Sequence, residues 1–250
     1  MKISNTMKKM LLIAGLLISL IAGQVVFGQG QEGAITYEVK VNLHKRFTDD
    51  QEGMKNMIPE FATHRDRLVF SGRESLYGPV EEESDEFAGE DGGRALRIRR
   101  PRAQFYFDHA SSRRIVAQEF AGKHYLISDS IVVTPWKLRE ESKTIQGYPC
   151  KQASYYNDAR KQTVVAWYTP ALPPLLGPEG FNSLPGTVLQ VDINDGERVI
   201  TVEKIEIRPL KKAELKIPTK GQHITEKEFQ ALVEEQRKRS GASGGVIIRN

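Results

Sequence analysis

Apolar and polar residues alternate from the first part of the chain after residue 33. Ile35, Tyr37, Val39, Val41 and Leu43 are separated by Thr36, Glu38, Lys40, Asn42 and His44. That period of two predicts a strand over 34–44 with one buried and one wet face. Similar short runs follow. Residues 68–70 and 75–77 read as a hairpin turning near Ser71-Gly72, and 104–108, 114–120 and 124–128 read as a meander with tight turns. Trp136 and Leu138 continue the pattern. The Asn157-Asp158 turn joins runs 148–156 and 162–168, and Asp195-Gly196 joins 187–193 to 199–207. Two stretches change period instead. Thr48 and Gln51 have capping-box spacing ahead of Met54, Met57, Ile58 and Phe61, a short helix interrupted by Pro59. Thr225 and Glu228 repeat that spacing ahead of Phe229, Leu232 and Val233, a helix through about residue 239. The fold class expected is mainly β: a single curved antiparallel sheet, or open half-barrel, with a short N-terminal helical segment and a C-terminal helix.

The first 28 residues stand apart. Lys2, Lys8 and Lys9 precede an apolar run over 10–22, and small residues follow at the place a signal peptidase would cut, near Gly28 or Gln29. This is the order of a secretory signal, too short for a mature membrane helix. No cysteine follows it to carry a lipid, so a periplasmic or secreted protein is expected. Removing the signal also changes the charge. The chain has 36 Lys and Arg against 32 Asp and Glu; without the three signal lysines the excess is a single charge, no footprint for nucleic acid. The remaining length suits one β domain over 29–209, followed by the helix and a glycine- and serine-rich tail over 210–250. The lone Cys150 has no disulfide partner and no nearby histidine to activate it, so it is expected in the core.

Catalytic chemistry finds no foothold in the pattern. Five histidines are scattered, with no ligand spacing for a metal, and no nucleophile elbow, zinc-protease helix motif or phosphate-cradling glycine loop occurs. No catalytic, metal or cofactor residue is therefore assigned. The acidic run 81–86 lacks the ligand spacing of a calcium loop and reads as solvated chain, balanced by the arginines over 94–102. One segment is unusual: between the runs 162–168 and 187–193 lie Pro170, Pro173, Pro174, Pro178 and Pro185, with Gly177, Gly180 and Gly186 among them. Prolines fix φ and glycines open conformations closed to other residues, so this loop is expected to be stiff and specifically shaped.

Several segments together resemble the GLPGLI family of bacterial envelope proteins. They are Trp136-Lys137-Leu138, the run 143–153 through Gly147-Tyr148-Pro149-Cys150, Ala166-Trp167-Tyr168-Thr169-Pro170, and Gly177-Pro178 followed by Phe181 and Leu184-Pro185-Gly186. The GLPGLI-like region spans 143–193, and weaker echoes at 74–77 and 223–229 extend the likeness over most of the mature chain. Ser183 stands where the family has its first glycine and Thr187 where it has leucine, which removes the residue best suited to a positive φ at 183. The resemblance implies an exported β-rich protein and brings no catalytic residue with it.

Two non-enzymatic functions fit. In the first, the chain is a binding module that docks on another envelope protein through Trp167, Tyr168, Pro170, Gly177, Pro178, Phe181, Leu184, Pro185 and Gly186, a surface whose stiffness lowers the entropic cost of binding. The same loop could instead cap one end of the sheet. In the second, the chain carries an apolar ligand such as a lipid or acyl chain, with Trp167, Tyr168, Phe181 and Leu184 at the pocket mouth.

Overall fold

The computed structural model describes residues 31–47, 52–56, 58–80 and 102–242. The expected signal segment, Thr48, Gln51, Met57, residues 81–101 and the tail from 243 lie outside them. Twelve strands form one sheet: β1 Glu32–Asn42, β2 Phe61–Ser71, β3 Glu74–Pro79, β4 Ala103–Asp108, β5 Arg113–Phe120, β6 Lys123–Ser130, β7 Lys137–Ile145, β8 Tyr148–Asn157, β9 Gln162–Thr169, β10 Thr187–Ile193, β11 Arg198–Ile207 and β12 Gln222–Ile224. Their order is β12-β6-β5-β4-β3-β2-β1-β11-β10-β9-β8-β7. All neighbours pair antiparallel except β12, which lies parallel to β6 and carries the sheet past residue 209.

The alternation in β1 does what it predicts. Ile35, Tyr37 and Val39 are fully buried, while Glu38 and Lys40 face solvent. β1 is also the centre of the sheet, paired with β2 over its whole length and with β11 on the other side. The helix expected over 54–61 is shorter: α1 covers Glu52–Lys55, and Phe61 opens β2 with its ring partly exposed. Pro59 has no N–H to extend the helix and sets the chain extended before it, so Phe61 joins the sheet instead.

Chain length then dictates curvature. Ser130 ends β6 near one edge of the sheet, and Lys137 begins β7 at the other edge, ten strand spacings away. In a flat sheet that separation would be ~48 Å, whereas seven Cα steps reach only ~25 Å. The sheet must curl until its edges approach. The linker 131–136 touches both sides of the gap: the Ile131 N–H bonds the Ser112 carbonyl next to β5, and the Trp136 ring meets Tyr155 of β8 edge-on at 4.7 Å.

The concave face is filled from two directions. The C-terminal helix α2, Glu226–Ala242, starts at the expected capping box, where the Thr225 hydroxyl accepts from the Glu228 N–H and the Glu228 carboxylate accepts from the Thr225 N–H. Its Phe229, Leu232 and Val233 pack on Val116, Tyr125 and Ile127. The proline-rich loop fills the other half. On the convex face, a strap after β11 lays Leu215 over Tyr106, Ile115 and Leu126. The strap is clipped by Glu214, whose carboxylate takes a two-pronged hydrogen bond from Arg208 at 2.7 and 2.8 Å.

The Arg208 guanidinium, with the Lys211 N–H, holds the Glu214 pKa down to about 2. A depressed carboxylate stabilises the fold above its unfolded pKa, and that contribution is lost as pH falls from about 4.5 through 2. Glu214→Gln should lower the urea midpoint at pH 7 while flattening its decline between pH 5 and pH 2.5. Parallel declines in the two proteins would mean that the clip carries no acid sensitivity.

Candidate functional site

The loop between β9 and β10 dips into the bowl. Leu172, Leu176 and Leu184 are buried and share a core with Tyr37, Tyr77 and Val191. Each end is bonded to the scaffold. The Tyr37 hydroxyl of β1 donates to the Val188 carbonyl at 2.7 Å, the Thr187 hydroxyl to the Pro173 carbonyl at 2.6 Å, and the Trp136 indole N–H to the Asn182 carbonyl at 2.8 Å. Two glycines are required by close approach. A Cβ on Gly177 would collide with the Phe181 carbonyl, and one on Gly186 with the Thr169 carbonyl. Leu175, Glu179 and Ser183 hold φ of 63°, 52° and 67°, a left-handed conformation that costs a side chain energy. Lack of glycine at 183 argued against a positive φ there; the chain adopts it regardless, because the anchors on both sides fix the path.

At its tip the loop meets charge. Glu179 forms a two-pronged ion pair with Arg198, the first residue of β11. Burial works to lower the Arg198 pKa, and the paired carboxylate more than offsets it, holding the guanidinium above its usual value. Asp66 and Tyr77 stand beside the pair. The Tyr77 hydroxyl donates to Asp66 at 2.9 Å, and burial together with that carboxylate pushes the phenol well up. His64 lies 3.7 Å from Asp66. The two hydrogen-bonded pairs stand side by side and set the loop tip against β2, β3 and β11, while the His64 Nδ1 is buried without a hydrogen-bond partner. Among the described residues no group of three His, Cys, Asp or Glu side chains is placed to hold a metal.

The nine residues singled out from sequence do not form one surface. Tyr168, Gly177, Pro178, Leu184 and Gly186 are buried, Trp167 and Phe181 half-buried, and only Pro170 and Pro185 exposed. Nor do the four aromatic and aliphatic residues suggested for a pocket mouth meet around a cavity. Tyr168 and Leu184 lie within the core and Phe181 packs against it, while the Trp167 ring lies under the Lys143 ammonium, 4.2 Å from its centre. Cys150 is buried, and burial raises its thiol pKa. The leucines of the loop therefore cap the core.

Exposed apolar surface is found elsewhere. Of the seven large apolar side chains exposed among the described residues, four lie on the linker and the two strands that follow it: Val132 (77%) and Val133 (73%) on the linker, Leu138 (59%) on β7 and Tyr156 (52%) on β8. β7 is exposed along 137–144 and carries Lys137, Arg139, Glu140 and Glu141. The sequence contained a signal for the exposed valines. Adjacent valines before a proline, outside any alternating run, have no strand neighbour to cover them.

No family model matches the chain, and no curated protein matches it. Among solved structures, "Structure of PNGF-II in C2 space group" aligns with a TM-score of 0.54 at 14% identity, over 83% of this chain and 33% of that one. "Structure of PNGF-II in P21 space group" aligns with 0.52 at 15%, over 83% and 34%. The chain thus spans about a third of the length of PNGF-II, and at this identity the likeness is one of fold.

Loop substitutions should divide by direction. Leu184→Ala should cost about 2–5 kcal/mol for a core cavity, and Gly186→Ala should be destabilising through its backbone collision. Ser183→Gly should stabilise by about 0.5–1 kcal/mol by relieving the positive φ. Chemical denaturation of the three variants checks this; a destabilised Ser183→Gly would show that its side chain, not its backbone, sets the loop.

Proposed function

We propose that the chain is an exported, GLPGLI-like envelope protein, periplasmic or secreted, that acts as a non-catalytic module docking on another envelope protein. The observation that carries this reading is the exposure of two adjacent valines, Val132 and Val133, with Leu138 and Tyr156 exposed on the next two strands. Large apolar side chains left open beside a charged strand are candidates for burial by a partner. The docking surface is accordingly the linker and the β7 edge, while the proline-rich loop supports it from behind through the Trp136–Asn182 hydrogen bond.

A photo-crosslinking residue at Val133 or at Leu138, introduced in cells that export the protein, should trap the same partner band from both positions. The band should disappear in Val132→Ser/Val133→Ser, a surface change that leaves stability within about 0.5 kcal/mol. Crosslinking from Thr163 on the open sheet face, with none from 133 or 138, would move the contact away from this edge.

A further inference from the structure

The exposed valines and the start of β7 lie close together, since the chain from Val133 to Leu138 spans at most ~18 Å. The lead between them is short and stiff. The Trp136 N–H bonds the Thr134 carbonyl at 2.8 Å across Pro135, a tight turn whose central φ the proline ring fixes. Beyond it β7 bulges: residues 139–141 stand opposite the single Gln152 of β8, and an open hollow of about 590 Å³ lies there, lined by Leu138, Arg139, Glu140 and Glu141. The edge thus carries an apolar knob at Val132 and Val133 and, a few residues on, a hollow with a leucine in its wall.

The charges of the hollow are sorted by sign. Lys137 and Arg139 come first and Glu140 and Glu141 follow, so the set is neutral. Arg139 donates to the Ser154 hydroxyl at 3.1 Å, whereas Lys137, Glu140 and Glu141 have no ion-pair partner among the described residues. A protein that covered the hollow without opposite charges in matching order would strip water from these groups and leave them unpaired. A second copy of the same edge, turned by a two-fold axis, runs antiparallel to the first. It sets the basic pair of each copy against the acidic pair of the other, where a parallel copy would set like against like.

We propose that the partner of this edge is a second copy of the chain: in a two-fold dimer, Val132 and Val133 of each copy enter the hollow over 138–141 of the other, and the opposed charges close its rim. The inference rests on the reading of the linker and β7 edge as the docking surface, and it names the partner. The contact is self-complementary, as a two-fold interface requires. Leu138 and the aliphatic stem of Arg139 supply the apolar wall that the valines meet. Because the bulge interrupts the ladder, the two edges join through side chains rather than by backbone pairing.

Sedimentation velocity of the purified mature chain, over concentrations from micromolar to hundreds of micromolar, tests the dimer. The parent chain should pass from monomer to dimer, and less readily as salt screens the rim. Val132→Ser/Val133→Ser should raise the dissociation constant by at least about tenfold. Lys137→Glu/Arg139→Glu and Glu140→Lys/Glu141→Lys should each do the same, because each sets like charges face to face. Mixed in equal amounts, these two charge variants should regain a dimer, since an acidic edge then meets a basic one; that recovery tests the idea even if the valine variant folds poorly. A parent chain that stays monomeric throughout, or charge variants that dimerise alone or stay apart when mixed, would overturn the proposal. A monomer in solution, with a crosslinked band from 133 and 138 at a mass other than twice the chain, would overturn the choice of partner and leave the docking surface standing. Loss of both dimer and band would remove the docking reading as well.

Discussion

A linker of six residues between strands at opposite ends of the sheet order is the constraint on which the other features depend. Neither strand propensity nor twist alone would bring β6 and β7 to within that reach. Once the edges are drawn together, the face bearing Tyr37, Tyr77 and Val191 becomes the inside of a bowl, and an apolar interior must be filled. The C-terminal helix fills the half lined by β5 and β6. The proline-rich loop fills the half lined by β8 to β11, because both its ends emerge from adjacent strands and its leucines point the only way that removes them from water.

Filling a bowl with irregular chain raises a second problem, since loop N–H and C=O groups buried away from water need partners. The solution is a set of anchors from distant parts of the chain: Tyr37 from β1, Trp136 from the linker and Arg198 from β11. Prolines reduce the number of donors to satisfy, and the anchors hold three non-glycine residues at positive φ. The same logic explains why the charges at Glu179 are tolerated inside. Arg198 matches the carboxylate with two hydrogen bonds, so removing either member of that pair would leave the other partly buried and unpaired.

Much of the architecture was readable because it rests on local pattern. The period-two runs that become β1, β8, β9 and β10, the turns at Asn157 and Asp195, and the Thr225 capping box each specify their own structure. Phe61 was misread because an apolar residue three or four places along fits a helix stripe, while the breaking effect of Pro59 acts on everything beyond it. The inward path of Leu184 was not readable, since proline and glycine predict stiffness but no direction. Arg198 and Asp66 were missed for a related reason: residues on β11 and β2 meet the loop tip only after the sheet has curled, and no spacing in sequence encodes that meeting. The β12–β6 pairing is likewise a consequence of where the strap leaves the chain, with only three residues to announce it.

The construction of the β7 edge also bears on how a partner could engage it. An open edge strand invites another chain to add to the sheet, yet this one resists. Leu138 pairs with Ala153 and Ser142 with Lys151, so β7 has three residues, 139–141, against the single Gln152 of its neighbour, and Lys137, Arg139, Glu140 and Glu141 crowd the same stretch. Bulges and charges are the means by which sheet edges avoid indiscriminate pairing. Val132 and Val133 stand just before that defended segment on chain that belongs to no strand. The edge is therefore closed to backbone pairing over 138–141 while leaving side chains available beside it, which favours a partner that presents an apolar hollow to the valines and opposite charges to β7. Specificity would then come from the rim: a hollow without matching charge would leave Glu140 and Glu141 desolvated and unpaired, a cost large enough to exclude it.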